Sequence, residues 1–350
     1  MRGLTILFFL LIGNAVYERP LLAQINMTKR DSSLKTTLPF PIGVALKLNL
    51  LKNRSDYRNI IIKEFNSITA ENAMKFNALH PGKDVYRWSD ADYIVDFAVK
   101  NRMRVHGHTL IWPKVNPKWI ENFQGDSTAW ENLLKTHIQT VVTHFKGKVT
   151  SWDVVNEAFG DNGKLKNTIW LRKLGPNYIN RCFIYAHEAD PAALLFYNDY
   201  GQEFGGNKMR AILVWIAKAQ KNKVPIDGLG FQMHTVLRVS TQRIRDNVNE
   251  AVKTGLLLHF SELDIAVRYN QPKGFIMSTK LSEEQAQKYK EIFQIYASIP
   301  PKQQFGITMW GVGDRDSYLN AKSRIYDYPL LFDHQYLKKP AYKAILESVK

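Results

Sequence analysis

A chain of 350 residues can bury one large α/β core or two ordinary ones. Its 45% apolar and 23% charged residues, with no low-complexity tract or internal repeat, exclude a disordered, fibrous or repeat-array protein. A single cysteine, Cys182, excludes an intrachain disulfide framework. The net charge of +16 is spread along the chain with no basic run, which speaks against a nucleic-acid binder.

The N-terminus has the pattern of a secretory signal peptide. Arg2 supplies positive charge, Leu4 to Ile12 form a short apolar core, and Gly13, Ala15 and Ala23 supply small residues for cleavage. The run is shorter than the roughly 20 apolar residues a membrane span needs. The expectation is a signal peptide over 1–23, a lead-in over 24–40 and one catalytic domain over 41–350. The mature protein would then be a secreted or periplasmic monomer without stable membrane insertion.

Short β-type runs then alternate with helix-period segments. Strands are predicted at Pro41–Leu46, Asn66–Thr69, Arg104–Leu110, Thr150–Val155, Leu194–Tyr197, Gly228–Met233, Leu257–Leu263 and Phe305–Trp310. Helices are predicted at Asp90–Lys100, Thr128–Phe145, Tyr178–Ala189, Lys208–Lys221, Thr241–Thr254 and Ser282–Ser298. Ser89 with Asp92 reads as a capping box, and Gly255 as a C-terminal stop. Eight such alternations predict parallel strands with crossover helices, closed into a single (β/α)8 TIM barrel of the α/β class.

A barrel of this kind gathers functional groups at the C-terminal ends of its strands. Polar or tryptophan residues fall there in order: Glu71, Asn72 and Lys75; His108 and Trp112; Asn156 and Glu157; Asn198 and Asp199; Gln232 and His234; Glu262 and Asp264; Trp310. Glu157 and Glu262 end strands four and seven, which face each other across a barrel mouth. Two carboxylates so placed suit glycosidic-bond cleavage: one protonates the leaving oxygen while the other attacks or stabilises the sugar cation. Asn156 is positioned to bond a sugar 2-hydroxyl, and His234 with Asp264 to orient Glu262 and keep it ionised. The acid requires a raised pKa and the nucleophile an ordinary or lowered one. Trp112 and Trp310 present rings for stacking on sugar faces or for filling the core.

Two other readings compete. The glutamates can be members of structural ion pairs, and the strand pair His106 and His108 can hold a metal together with His234, His259 or Asp314. The second is disfavoured because the face opposite the histidines carries glutamates and tryptophans. No metal is therefore expected.

At this point the motifs resemble the family 10 glycoside hydrolases, the endo-β-1,4-xylanases. The matching segments are Phe65 to Lys75, Gly107-His108-Thr109-Leu110-Ile111-Trp112, Trp152 to Ala158, Ala186 to Pro191, Phe196 to Tyr200, Ile226 to His234, Glu262-Leu263-Asp264-Ile265 and Trp310 to Asp314. The resemblance implies a retaining mechanism on xylan or xylo-oligosaccharides without a cofactor, with Glu157 as acid/base and Glu262 as nucleophile. It also implies that Glu71, Asn72, Lys75, His108 and Trp112 bind the non-reducing side. Asn156, Gln232, His234 and Trp310 would surround the sugar being cleaved. The chain departs from the family pattern twice. Pro113-Lys114-Val115 stands where His-Ser-Gln is common, so the glutamine's sugar contact is missing or replaced by Lys114, and Tyr318 stands where a second tryptophan is usual.

Overall fold

The computed structural model describes residues 32–349, apart from 270 and 322–324. The signal-peptide pattern over 1–23 lies outside the described residues. Nine strand segments follow in chain order: β1 (Ile42–Leu46), β2 (Ser67–Ala70), β3 (Arg104–Ile111), β4 (Ser151–Asn156), β5 (Leu194–Asp199), β6 (Gly228–Phe231), β7 (His234–Val236), β8 (Leu257–Ala266) and β9 (Gln304–Met309). All their pairings are parallel. The ring β1-β2-β3-β4-β5-β6-β8-β9 closes through β1 and β9, giving the expected eight-stranded barrel.

The departure from expectation is in the sixth strand, which arrives in two pieces. Met233 adopts φ +60, a left-handed conformation that no regular strand tolerates. Up to Phe231 the strand pairs with β5 and β8, and the Gln232 amide extends the ladder with a 3.0 Å bond to the Asp199 carbonyl. After the kink, β7 pairs with β8 alone, in the register His234↔Asp264.

The strands are buried on both faces, as their apolar composition requires. Their outward side chains meet the helices Ser89–Lys100, Ser127–His144, Tyr178–Ala189, Gly206–Lys221, Thr241–Val252 and Thr279–Ala297. Inside the barrel the filling is aromatic and basic. His106 packs edge-on against Phe196 at 5.5 Å and His259 at 4.8 Å, and the Arg104 guanidinium lies 3.8 Å over the Phe305 ring. These two histidines each have a hydroxyl partner, His106 with Ser151 and His259 with Thr308, both at 2.8 Å. His106 thus belongs to the barrel floor.

Helix termini differ from the sequence reading at one point. Ser89 is already helical and Trp88, the N-cap, contributes no side-chain bond. Asp92 instead bonds the His144 ring nitrogen at 2.8 Å, so a tertiary contact takes the carboxylate that a capping box would use. Gly255, at φ +75, closes the turn after Val252 as a C-terminal stop should.

Gly107 of β3 has no room for a side chain. A Cβ there would stand 2.2 Å from the ring of Trp152, which is buried and packed on Phe145. Gly107→Ala should lower unfolding stability by about 1–3 kcal/mol, as overpacking does. A lowered urea midpoint at unchanged slope is the expected result, and an unchanged midpoint would show that the indole has room to move.

Candidate active site

Backbone conformation decides which side chains reach the barrel mouth. Successive residues of a strand point to opposite faces, so Asn156 and Glu157 should diverge. Glu157 instead takes φ +57 at the end of β4, its amide bonded to the Asn198 carbonyl at 2.9 Å, and both side chains enter one cleft. The kink at Met233 does the same for its neighbours. Gln232 turns toward β4 and β5, and His234 toward β8.

The cleft encloses about 590 Å³ at the C-terminal mouth. Glu71, Asn72, Lys75, His108, Trp112, Asn156, Glu157, Gln232, His234, Glu262 and Trp310 all line it. Asp264 does not; it stands behind His234, its carboxylate 2.8 Å from Nδ1.

One hydrogen-bond network joins the two glutamates. Gln232 Nε2 donates to Glu157 Oε1 at 3.3 Å and to Asn156 Oδ1 at 3.2 Å. Asn198 Nδ2 donates to the same Asn156 oxygen at 3.0 Å and to Glu262 Oε1 at 2.8 Å. The Asn198 amide is oriented by the Ser261 hydroxyl, which donates to its oxygen at 2.6 Å. The other Glu262 oxygen faces His234 Nε2 at 3.2 Å. Burial disfavours a charged His234, but Asp264 and Glu262 outweigh it and hold the imidazole protonated well above its ordinary range. Asn156 Nδ2 is buried and bonds no described residue.

The side of the cleft fed by β2 and β3 sets polar side chains around an aromatic ring. Asn72 Nδ2 lies 3.3 Å from Glu71, and Lys75 Nζ bonds Asn72 at 2.9 Å while standing 4.8 Å over the Trp112 ring. Burial raises the Glu71 pKa against the pull of Lys47 and Lys75. His108 meets Trp310 edge-on at 5.4 Å, and its Nδ1 is held 2.8 Å from the buried Asp153. Asp153 also faces His106 at 3.0 Å. Burial would raise its pKa, yet the two imidazoles keep the carboxyl well below its usual range.

The family model of glycosyl hydrolase family 10 matches residues 32–348. The chain belongs to that family. It is 35% identical over 356 residues to endo-1,4-beta-xylanase B of Thermotoga neapolitana, covering 100% of this chain and 98% of the relative. Identity to a beta-1,4-xylanase of Dictyoglomus thermophilum is 40% over 321 residues, 88% of each chain. The fold is similar to the crystal structure of xylanase 10B from Thermotoga petrophila RKU-1 in complex with xylobiose. The TM-score is 0.86 and the identity 35%, over 91% of this chain and 98% of that one.

Within this family 10 barrel, two parts of the site, Asp153 and Asn198, carry no role in the sequence reading, and a third, Lys114, takes a different one. Asp153 was legible in principle: inward positions on β4 are Ser151 and Asp153, level with His106 and His108 on β3. Asn198 was placed at a strand end without a role. Lys114, one of the two departures from the family pattern, proves to touch Glu157 itself, Nζ to Oε2 at 2.7 Å, with Lys166 at 3.5 Å from the same oxygen. The Glu157 pKa therefore differs from the raised value expected of an acid. Burial pushes it up, but the Lys114 ammonium and then Lys166 bring it below the usual range. Tyr318, the other departure, lines the cleft with its ring 5.3 Å from His234.

Behind the cleft wall, Glu203 is fully buried and neither carboxyl oxygen bonds a described residue. Burial pushes its pKa up to about 7. The folded protein thus holds a proton here that the unfolded chain has already released above its ordinary carboxyl range. The wild type should lose stability as pH rises from about 4.5 to about 7 and level off above that, by on the order of 3 kcal/mol from this group. Glu203→Gln removes the titration, so its stability relative to wild type should rise across that window. Denaturation midpoints of the pair at pH 4.5 and 8 check this, and an equal difference at both pH values would contradict it.

Proposed function

We propose that this family 10 member is an endo-1,4-β-xylanase in which Glu262 is the nucleophile and Glu157 the acid/base. The observation that carries the assignment is the different surroundings of the two carboxylates in one cleft. Glu262 is pinned at both oxygens, by Asn198 and by the charged His234, which fixes the orientation a nucleophile needs. Glu157 is held by an amide at one oxygen and by exposed, movable lysine at the other, which suits a group that gains and loses a proton.

In the first step Glu262 attacks the anomeric carbon while Glu157 gives its proton to the glycosidic oxygen, and the aglycone leaves. In the second, Glu157 takes a proton from water, the hydroxide attacks the same carbon, and the Glu262 carboxylate departs. The His234 imidazolium, fixed by Asp264, stabilises Glu262 as both attacking and leaving group. Asn156, in the cleft lining and with Nδ2 unpartnered among the described residues, serves as the partner of the 2-hydroxyl, a contact that strengthens as oxocarbenium character develops. Trp112 and Trp310 serve as stacking surfaces, and Glu71, Asn72, Lys75 and His108 as hydroxyl partners on the non-reducing side. The names of the relatives, endo-1,4-beta-xylanase and beta-1,4-xylanase, support β-1,4-xylan as the substrate. The signal pattern ahead of the barrel supports action outside the cytoplasm.

Two measurements test the reading. NMR of the sugars first released from xylan should show the β-anomer; initial α-anomer would mean inversion. Glu262→Ala should abolish turnover of every glycoside. Glu157→Ala should lose about 10²–10⁴-fold on xylan yet keep most of its glycosylation rate on aryl xylobiosides whose leaving groups need no proton. Equal losses on both substrate types would overturn the division of roles.

A further inference from the structure

The oxygen of Glu157 that faces Lys114 is in an unusual position for a general acid. The Glu157 side chain is 6% exposed, whereas Lys114 is 58% exposed and reaches in from the loop after β3. Its ammonium stands 5.9 Å from the Trp112 ring and 5.4 Å from the Tyr200 ring, so two aromatic faces flank it as it meets the carboxylate. Lys166, from the loop after β4, is 4.9 Å over the same Tyr200 ring, but its charge is shared with Asp199 of β5. Lys208, from the helix after β5, is committed to Asp199 and Asp161 at 3.2 Å and 3.0 Å. Gln232 brings a neutral amide, and across the cleft Glu262 and His234 are paired with each other. Of the cations around Glu157, Lys114 makes the shorter contact with its carboxylate, 2.7 Å against 3.5 Å for Lys166, and it pairs with no other carboxylate among the described residues.

We propose that Lys114 is a positioning residue that fixes the Glu157 carboxylate and sets the upper pH limit at which this enzyme can protonate its leaving group. An ammonium at hydrogen-bond distance favours the anion over the acid, and a general acid must hold its proton before it can give it. Lys114 thus makes leaving-group protonation fail at a lower pH than a neutral residue would at the same position. It occupies the stretch where the chain departs from the family pattern. The inference rests on Glu157 being the acid/base.

The test is the pH profile of kcat/KM, measured with xylohexaose and with 2,4-dinitrophenyl β-xylobioside, for wild type, Lys114→Gln, Lys114→Arg and Lys166→Gln. On xylohexaose, Lys114→Gln should move the alkaline limb upward, so that at a pH on that limb it outpaces wild type by about threefold or more relative to their plateaus. Lys114→Arg retains a cation and should keep the wild-type limb, and Lys166→Gln should move it less than Lys114→Gln. The dinitrophenyl substrate should show none of these displacements. An unmoved limb in Lys114→Gln, or an equal displacement in Lys114→Arg, overturns the proposal while leaving the acid/base reading intact. An alkaline limb of the wild type that is identical on both substrates overturns that reading, and the proposal with it.

Discussion

Two carboxylates facing one partly desolvated cleft repel each other, and the rest of the site is arranged around that constraint. The barrel separates them on opposite strands and gives each its own set of donors. Glu262 receives the Asn198 amide and the charged His234, so its negative charge is compensated within the protein. Glu157 receives the Gln232 amide and the lysines. Asn156 links the two halves, since its oxygen accepts from both Gln232 and Asn198, and a shift of either glutamate would disturb the other.

Reaching this arrangement requires backbone that a regular barrel does not supply. Glu157 and Met233 both sit at positive φ, which costs non-glycine residues about 1–3 kcal/mol each. The conformations persist because the surroundings leave no alternative. The Glu157 amide is tied to β5, and the strand after Met233 is tied to β8. The kink in the sixth strand lets one short segment serve both glutamates, with Gln232 beside Glu157 and His234 beside Glu262. Close approach matters too. A Cβ at Gly230 would stand 2.3 Å from the Asn198 amide oxygen that Ser261 holds, so glycine there keeps the Glu262 partner in place.

The positive charge of the chain takes on local meaning at the cleft. Lys47, Lys75 and Lys114 line it beside Glu71 and Glu157, offsetting the burial that pushes both carboxyl pKa values up. Trp112 carries lysines near its ring, Lys75 at 4.8 Å and Lys114 at 5.9 Å. A sugar stacking there meets an aromatic face rimmed by hydrogen-bond donors, which suits a ligand rich in hydroxyl oxygens.

The order of strands and helices was legible in the sequence, because apolar runs of strand length and helix-period segments record burial directly. So were the residues that end each strand, and with them most of the cleft lining. Three things were decided only by the tertiary structure. The break at Met233 is a backbone conformation, and no side-chain periodicity signals it. Asp92 read as a cap but turned to His144, because a carboxylate goes to the partner that folding brings nearest. Lys114 could be seen to differ from the family pattern, yet its contact with Glu157 joins two loops 43 positions apart. Burial is a property of each residue and leaves a trace in local pattern. Pairing between side chains depends on strand register and on dihedral angles, which exist only once the chain has closed on itself.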